Sequence, residues 1–278
     1  MANVAVPNYI RRESPVHALT GTTKLVFFLC FSVSAMVTYD TRVLLCLLAC
    51  SLIIFKISRI RFKEIRFVLG LAAIFLLLNN FFVYLFAPEY GAEIYQSRNL
   101  LFTIAGSYTI TAQQLFYHLN MSLKVMCVIP VALIFIACTD PSEFAASLSS
   151  IGVSYRISYA VSLALRYIPD VQREYHNISQ AQQARGIDLS GKDKFFTRLK
   201  NSVAILLPLV LASMHRIETV SNAMELRGFG KKEKRTWYVR RKLERADYLA
   251  LGIGAMLLAF SMVVTFWDGS RFYNPFLL

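Results

Sequence analysis

The sequence predicts an all-α membrane protein with about five transmembrane helices and long cytoplasmic helices inserted before the last span. Three observations predict it. Of the 278 residues 56% are hydrophobic, with a mean hydropathy of +0.48, against roughly 45–50% in soluble domains. Residues 67–86 and 248–267 carry no charged side chain over the ~20 residues that a spanning helix needs. The formal charge of +13 must then be segregated into the polar links.

Three shorter apolar runs complete the expected spans: 25–39, 43–55 and 125–139. Lys24, Lys56 and Lys124 flank them and can snorkel toward water while their stems stay in lipid. The stretch 99–117 has no charge but contains Gly106, Ser107, Gln113 and Gln114. It reads as interfacial or re-entrant, with a sixth span as the alternative. Residues 1–15 lack the apolar core of a cleavable signal. Cys30, Cys46, Cys50, Cys127 and Cys138 lie in or beside apolar runs and read as small buried hydrophobes rather than metal ligands.

Orientation follows the bias of Lys and Arg. The link after 43–55 holds Lys56, Arg59, Arg61, Lys63 and Arg66, and residues 141–246 carry a net charge of +9. The link 87–120 holds one Arg and two Glu. Five spans put both basic regions on one side, together with the N-terminus and its Arg11 and Arg12. That side is expected to be cytoplasmic, with residues 268–278 outside. The chain divides into N-terminal spans (1–139), a cytoplasmic helical region (140–246) and a last span with its tail (247–278).

The cytoplasmic region opens with Thr139-Asp140-Pro141, a capping residue followed by Pro at the first helical position. Helical runs follow over 154–185 and about 195–227. Pro169 and Pro208 are expected to kink or split them. The uncharged centre of the second run, 203–214, is 12 residues long, short of a span. Both runs end alike: Gln182-Gln183-Ala184-Arg185-Gly186 and Met224-Glu225-Leu226-Arg227-Gly228. Glycine allows a left-handed exit from the last turn. Arginine there meets the negative end of the helix dipole, which favours a cation by about 0.3–1 kcal/mol, and its planar fork can engage a carboxylate or carbonyls on a partner. Two equivalent helix ends suit a partner with two equivalent grooves, such as a dimer.

The chain resembles the transmembrane (T) component of energy-coupling factor (ECF) transporters, the EcfT/CbiQ-like family. The likeness runs almost end to end, through Ser14-Pro15-Val16-His17 with Thr23-Lys24, Thr139-Asp140-Pro141, Leu163-Ala164-Leu165-Arg166-Tyr167-Ile168-Pro169, Ala181-Gln182-Gln183-Ala184-Arg185-Gly186 and Ala223-Met224-Glu225-Leu226-Arg227-Gly228-Phe229. The resemblance implies a non-catalytic coupling subunit. It would join a substrate-capturing membrane S component, for a vitamin or a transition-metal ion such as cobalt or nickel, to two ABC-type ATPase subunits. Ala184, Arg185, Gly186, Leu226, Arg227 and Gly228 would bind the ATPases, with Arg185 and Arg227 central. Leu226 stands where the family often has Ala. No cofactor, metal or nucleic acid is implied beside the lipid bilayer.

Three rival readings are weaker. Residues 186–192 match the phosphate-binding pattern G-x-x-x-x-G-K, but Asp193 stands where Ser or Thr should follow, and a helical run rather than a strand precedes them. A conventional ABC-importer permease would carry one coupling loop; here 18 residues separate Gly186 from Ile205-Leu206-Leu207-Pro208, too many for that pattern. A membrane metalloenzyme would draw on Glu174, His176, His215 and Glu218; the first pair, at i, i+2 on a helix, diverges, the second, at i, i+3, can face together, and a solvated polar face is the better reading of all four. Basic charge beside membrane spans reflects topology and anionic lipid, so nucleic-acid binding is not expected.

Overall fold

The computed structural model describes residues 14–105, 108–187, 195–231, 236–238, 241–267 and 271–276, with backbone alone at 62–64, 103–105, 108 and 195–200. Arg11, Arg12, Lys63 and residues 188–194 of the phosphate-loop lookalike therefore lie, wholly or by their side chains, outside the described residues. The chain forms two compact units, residues 1–140 with 241–278 and residues 141–240.

In the first unit a single turn, α1 (Pro15–Ala18), leads into α2 (Gly21–Val37), α3 (Thr41–Ser58) and α4 (Phe62–Phe86). A short α5 (Tyr90–Tyr95) and an antiparallel hairpin, β1 (Leu100–Ala105) with β2 (Tyr108–Thr111), precede α6 (Ala112–Cys138); α10 (Arg245–Trp267) closes the unit. Several of these starts have a local cause, whereas α4 and α5 have no side-chain cap. Thr20 caps α2, Asp40 caps α3 by accepting from the Arg42 amide at 2.9 Å, and Thr111 caps α6, the oxygens satisfying amides that a first turn leaves unpaired. Helix α2 packs against α10 and α6, and α3 against α6. Phe31, Ala35, Val43, Leu47, Cys127 and Val131 form one buried cluster; Phe55, Ile60, Ile65, Leu133, Ile134, Ala137 and Cys138 form another.

The stretch 99–117 is not a sixth spanning helix. It is the hairpin plus the opening of α6, which begins at 112 rather than 125. Its polar residues explain the shift, because they are satisfied inside the fold. Gln113 accepts from the Asn99 amide at 3.0 Å, and Gln114 accepts from Gly91 N at 2.6 Å and donates to Ala87 O at 3.2 Å. Gln113, Gln114 and Asn120 are buried. Among the cysteines, Cys127 and Cys138 are buried as expected, but Cys46 is exposed, since it falls on the outward face of α3.

Among the described residues five helices are long and apolar enough to cross a membrane: Thr41–Ser58, Ile65–Phe86, Ala112–Cys138, Asn201–Leu226 and Arg245–Trp267. The number agrees with the expectation but the membership differs. Gly21–Val37 is apolar over only 17 residues. Asn201–Leu226 qualifies as the least apolar of the five, because a window of helix tolerates two charges that an uninterrupted run does not.

The second unit holds α7 (Pro141–Ser150), α8 (Tyr155–Ala184) and α9 (Phe195–Leu226). Pro141 opens α7, and Ser154 caps α8 by accepting from Ile157 N at 3.4 Å. Pro169 and Pro208 lie inside α8 and α9, and both helices continue unbroken through them.

Candidate functional site

The ends of α8 and α9 share one hydrogen-bond pattern. At the first, Gly186 N donates to Gln183 O at 2.9 Å and Ile187 N to Gln182 O at 3.1 Å. At the second, Gly228 N donates to Glu225 O at 2.8 Å and Phe229 N to Met224 O at 2.9 Å. This pair of bonds is the Schellman motif. In both copies the arginine is the last residue before the turn and glycine sits at positive φ, +88° at Gly186 and +65° at Gly228. Backbone conformation, not crowding, is what requires glycine. A Cβ on Gly186 would meet nothing within 4 Å, and one on Gly228 only the Lys231 side chain at 3.4 Å.

Ala184, Arg185, Gly186, Leu226 and Arg227 are all exposed, Leu226 to 90%, and Gly228 is half-buried.

Contacts between α8 and α9 fix where these ends lie. Tyr155 and Tyr159 pack on Phe229, with ring centroids 5.3 and 4.8 Å apart. Glu174 pairs with Arg216 at 2.8 Å, and the Arg216 guanidinium also lies over the Tyr167 ring at 5.7 Å. Gln182 Nε2 donates to Ala204 O at 3.2 Å. As the α8 partner advances from 155 through 174 to 182, the α9 partner falls back from 229 through 216 to 204, so the helices run antiparallel. Arg185 and Arg227 are therefore not brought together. They stand at opposite ends of the pair, about 35–40 Å apart at 1.5 Å per residue.

The sequence pattern marked the ends but missed what joins them. Gln182 lies inside the first motif and Phe229 at the close of the second. Their roles as ties between α8 and α9 depend on the antiparallel register, which local pattern does not encode. Glu174 and His176, and His215 and Glu218, do not converge: Glu174 is held by Arg216, and His176 hydrogen-bonds Gln180 at 3.1 Å. Among the described residues no three His, Cys, Asp or Glu side chains are grouped to hold a metal ion.

One side of α9 carries an exposed apolar stripe. Val203, Leu206, Leu207, Val210, Leu211, Met214 and Ile217 are each more than half exposed. On α8, Val171 and Tyr175 are exposed as well.

Residues 12–238 match the family model CbiQ, described as cobalt transport protein. The chain is 25% identical over 255 residues to the energy-coupling factor transporter transmembrane protein EcfT of Staphylococcus aureus, covering 88% of this chain and 91% of that one. Against the EcfT protein of Clostridium kluyveri identity is 26% over 274 residues, 96% and 98% of the two chains. Against that of Limosilactobacillus fermentum it is 38% over 98 residues, 35% and 36% of the two. With spanning helices in number and a family match running across both units, this multi-pass membrane protein belongs to the CbiQ/EcfT family of transmembrane (T) components of energy-coupling factor transporters.

Proposed function

We propose that this chain is the non-catalytic coupling subunit of an ECF-type importer, transmitting ATP hydrolysis by two ABC-type ATPase subunits to an S component that carries a vitamin or a transition-metal ion. The observation that supports this reading is the duplicated helix end. Two Schellman-capped turns present Arg185 and Arg227 with one backbone geometry at the two ends of an antiparallel pair. A dimeric ATPase offers two equivalent grooves, and its closure on ATP changes their separation. Because α8 and α9 are tied along their length by Gln182, Glu174–Arg216 and Phe229, a displacement at either arginine moves the pair rather than one turn. The exposed apolar stripe of α9 is the surface on which such motion would reach the S component. The charge bias places the N-terminus and the basic links on the cytoplasmic side, where ATP is.

The test is Arg185→Ala, Arg227→Ala and the double variant, read by substrate uptake and by retention of the ATPases in pull-downs. Truncating one partner of a buried interfacial charge pair costs about 2–5 kcal/mol. Each single change should weaken association and uptake with insertion intact. The double change should do so more, since each contact raises the other's effective concentration. Arg→Lys should restore only part, lacking the planar fork. A double alanine variant that transports and holds its ATPases like the parent chain would reduce both motifs to helix caps.

A further inference from the structure

The first unit contains an apolar cleft of about 370 Å³ that the coupling reading does not use. It is walled by α1, α2, α3, α6 and α10, with Val16, Phe28, Ile57, Phe135, Ala246 and Ile253 among its lining. Phe28 and Phe135, both in its lining, stack on each other with centroids 5.3 Å apart. On α10 the lining runs from Ala246 to Ile253, a depth of about 10 Å at 1.5 Å per residue. That is most of one leaflet, whose hydrocarbon is about 15 Å deep.

The cleft lies at the end of the unit where α3 ends and α10 begins, and this end is basic. Lys56 precedes the lining residue Ile57, Arg245 precedes the lining residue Ala246, and both cations are exposed. Lys24 lines the cleft with its stem, while its ammonium donates to Cys138 O at 2.8 Å and His17 O at 3.2 Å. Glu244, next to Arg245, is exposed, but so are Arg59 and Arg61 after α3 and Arg241 and Lys242 before α10, so cations outnumber it. Asp247 is buried, accepting from Thr20 N at 2.8 Å, Thr20 Oγ1 at 3.1 Å and Glu244 N at 2.9 Å. An apolar slot reaching about two-thirds of the way through a leaflet, at the basic end of the unit, complements an acyl chain that carries an anionic headgroup.

We propose that this cleft is a binding site for one anionic phospholipid of the leaflet on the basic side, with an acyl chain between α2, α3, α6 and α10 and its phosphate at Lys56 and Arg245. The site stands whether or not Arg185 and Arg227 contact ATPases.

The experiment uses the full chain in detergent with two probes of identical acyl chains, phosphatidylglycerol and phosphatidylcholine, and counts bound lipid by native mass spectrometry. One phosphatidylglycerol should bind per chain in preference to phosphatidylcholine. Lys56→Gln with Arg245→Gln should weaken it roughly 25-fold, about fivefold per cation, and leave phosphatidylcholine unchanged. Ala250→Phe, which fills the cleft, should weaken both lipids, and inorganic phosphate should not compete. Arg42→Gln, at the other end of α3, should have no effect. Equal binding of the two lipids, or equal loss with Arg42→Gln, would overturn the proposal. So would an Ala250→Phe chain that keeps its phosphatidylglycerol but loses a co-purifying membrane protein, since the cleft would then be a protein interface. The charge variant leaves the packing untouched and decides the matter if Ala250→Phe misfolds.

Discussion

The two helix-ending glycines should not be equally replaceable. Gly228, at φ +65°, sits near the centre of the left-handed region, whereas Gly186, at +88°, lies at its edge. The left-handed conformation costs an L-residue roughly 1–2 kcal/mol, and alanine recovers ~0.4–1 kcal/mol by restricting the unfolded chain. Gly228→Ala should therefore cost about 0.5–1 kcal/mol of turn stability, with the 3.4 Å approach to the flexible Lys231 side chain adding little. Gly186→Ala should cost more, about 1.5–2 kcal/mol, although open space surrounds its Cβ. Asparagine, which tolerates the left-handed region, should be nearly neutral at 228 and not at 186. The reporters are the amides of Ile187 and Phe229, which bond to Gln182 O and Met224 O. Hydrogen exchange should speed about tenfold or more at Ile187 in Gly186→Ala and only a few-fold at Phe229 in Gly228→Ala. ATPase retention should fall in the same order. Equal protection in both variants, or the reverse order, would show that backbone strain does not set the shape of these turns.

Lys24→Met should lower the apparent unfolding midpoint in a fixed-rate thermal scan by about 5–10 °C. It removes two charge-assisted bonds and strands Cys138 O and His17 O in a buried site, a net loss of about 2–4 kcal/mol; an unchanged midpoint would refute that account. For topology, Glu93→Cys should label from outside intact cells and Lys242→Cys only after permeabilisation, both in a chain cleared of its native cysteines. Glu93 is exposed, whereas Gly91 beside it has no room, since a Cβ there would lie 2.6 Å from Gln114 Cα. Labelling of both positions from one side would overturn the orientation. The purified chain alone should show no ATP turnover, because Asp193 replaces the Mg²⁺-binding hydroxyl of the phosphate-loop pattern; turnover abolished by Lys192→Ala would contradict this.

Several quoted motifs have a structural meaning of their own. Ser14 caps α1, with its Oγ 2.7 Å from His17 Nδ1, and the His17 carbonyl receives Lys24, which also caps the end of α6 at Cys138. Thr20 joins α2 to α10 through Asp247. These residues form a knot of buried polar contacts across four helices, so the first of the family's motifs is accounted for by holding the unit together. The paired arginines are instead exposed at the two helix ends, which directs attention outward.

Composition and uncharged length sufficed for the membrane class, because lipid demands long apolar helices whatever their neighbours. The Arg-Gly endings were legible for a similar reason: a Schellman turn is built from consecutive residues, and glycine at positive φ is a local requirement. What local pattern could not supply was anything that depends on a distant partner. The start of α6 moved back to 112 because Gln113 and Gln114 find acceptors and donors at Asn99, Ala87 and Gly91; from sequence they look like polar residues that a membrane helix should exclude. Likewise the antiparallel register of α8 and α9, and so the separation of Arg185 from Arg227, comes from Gln182, Glu174–Arg216 and Phe229 meeting residues 22 to 74 positions away. Covalent neighbours set which conformations each turn can take, but only packing across the chain sets the distance between the two ends.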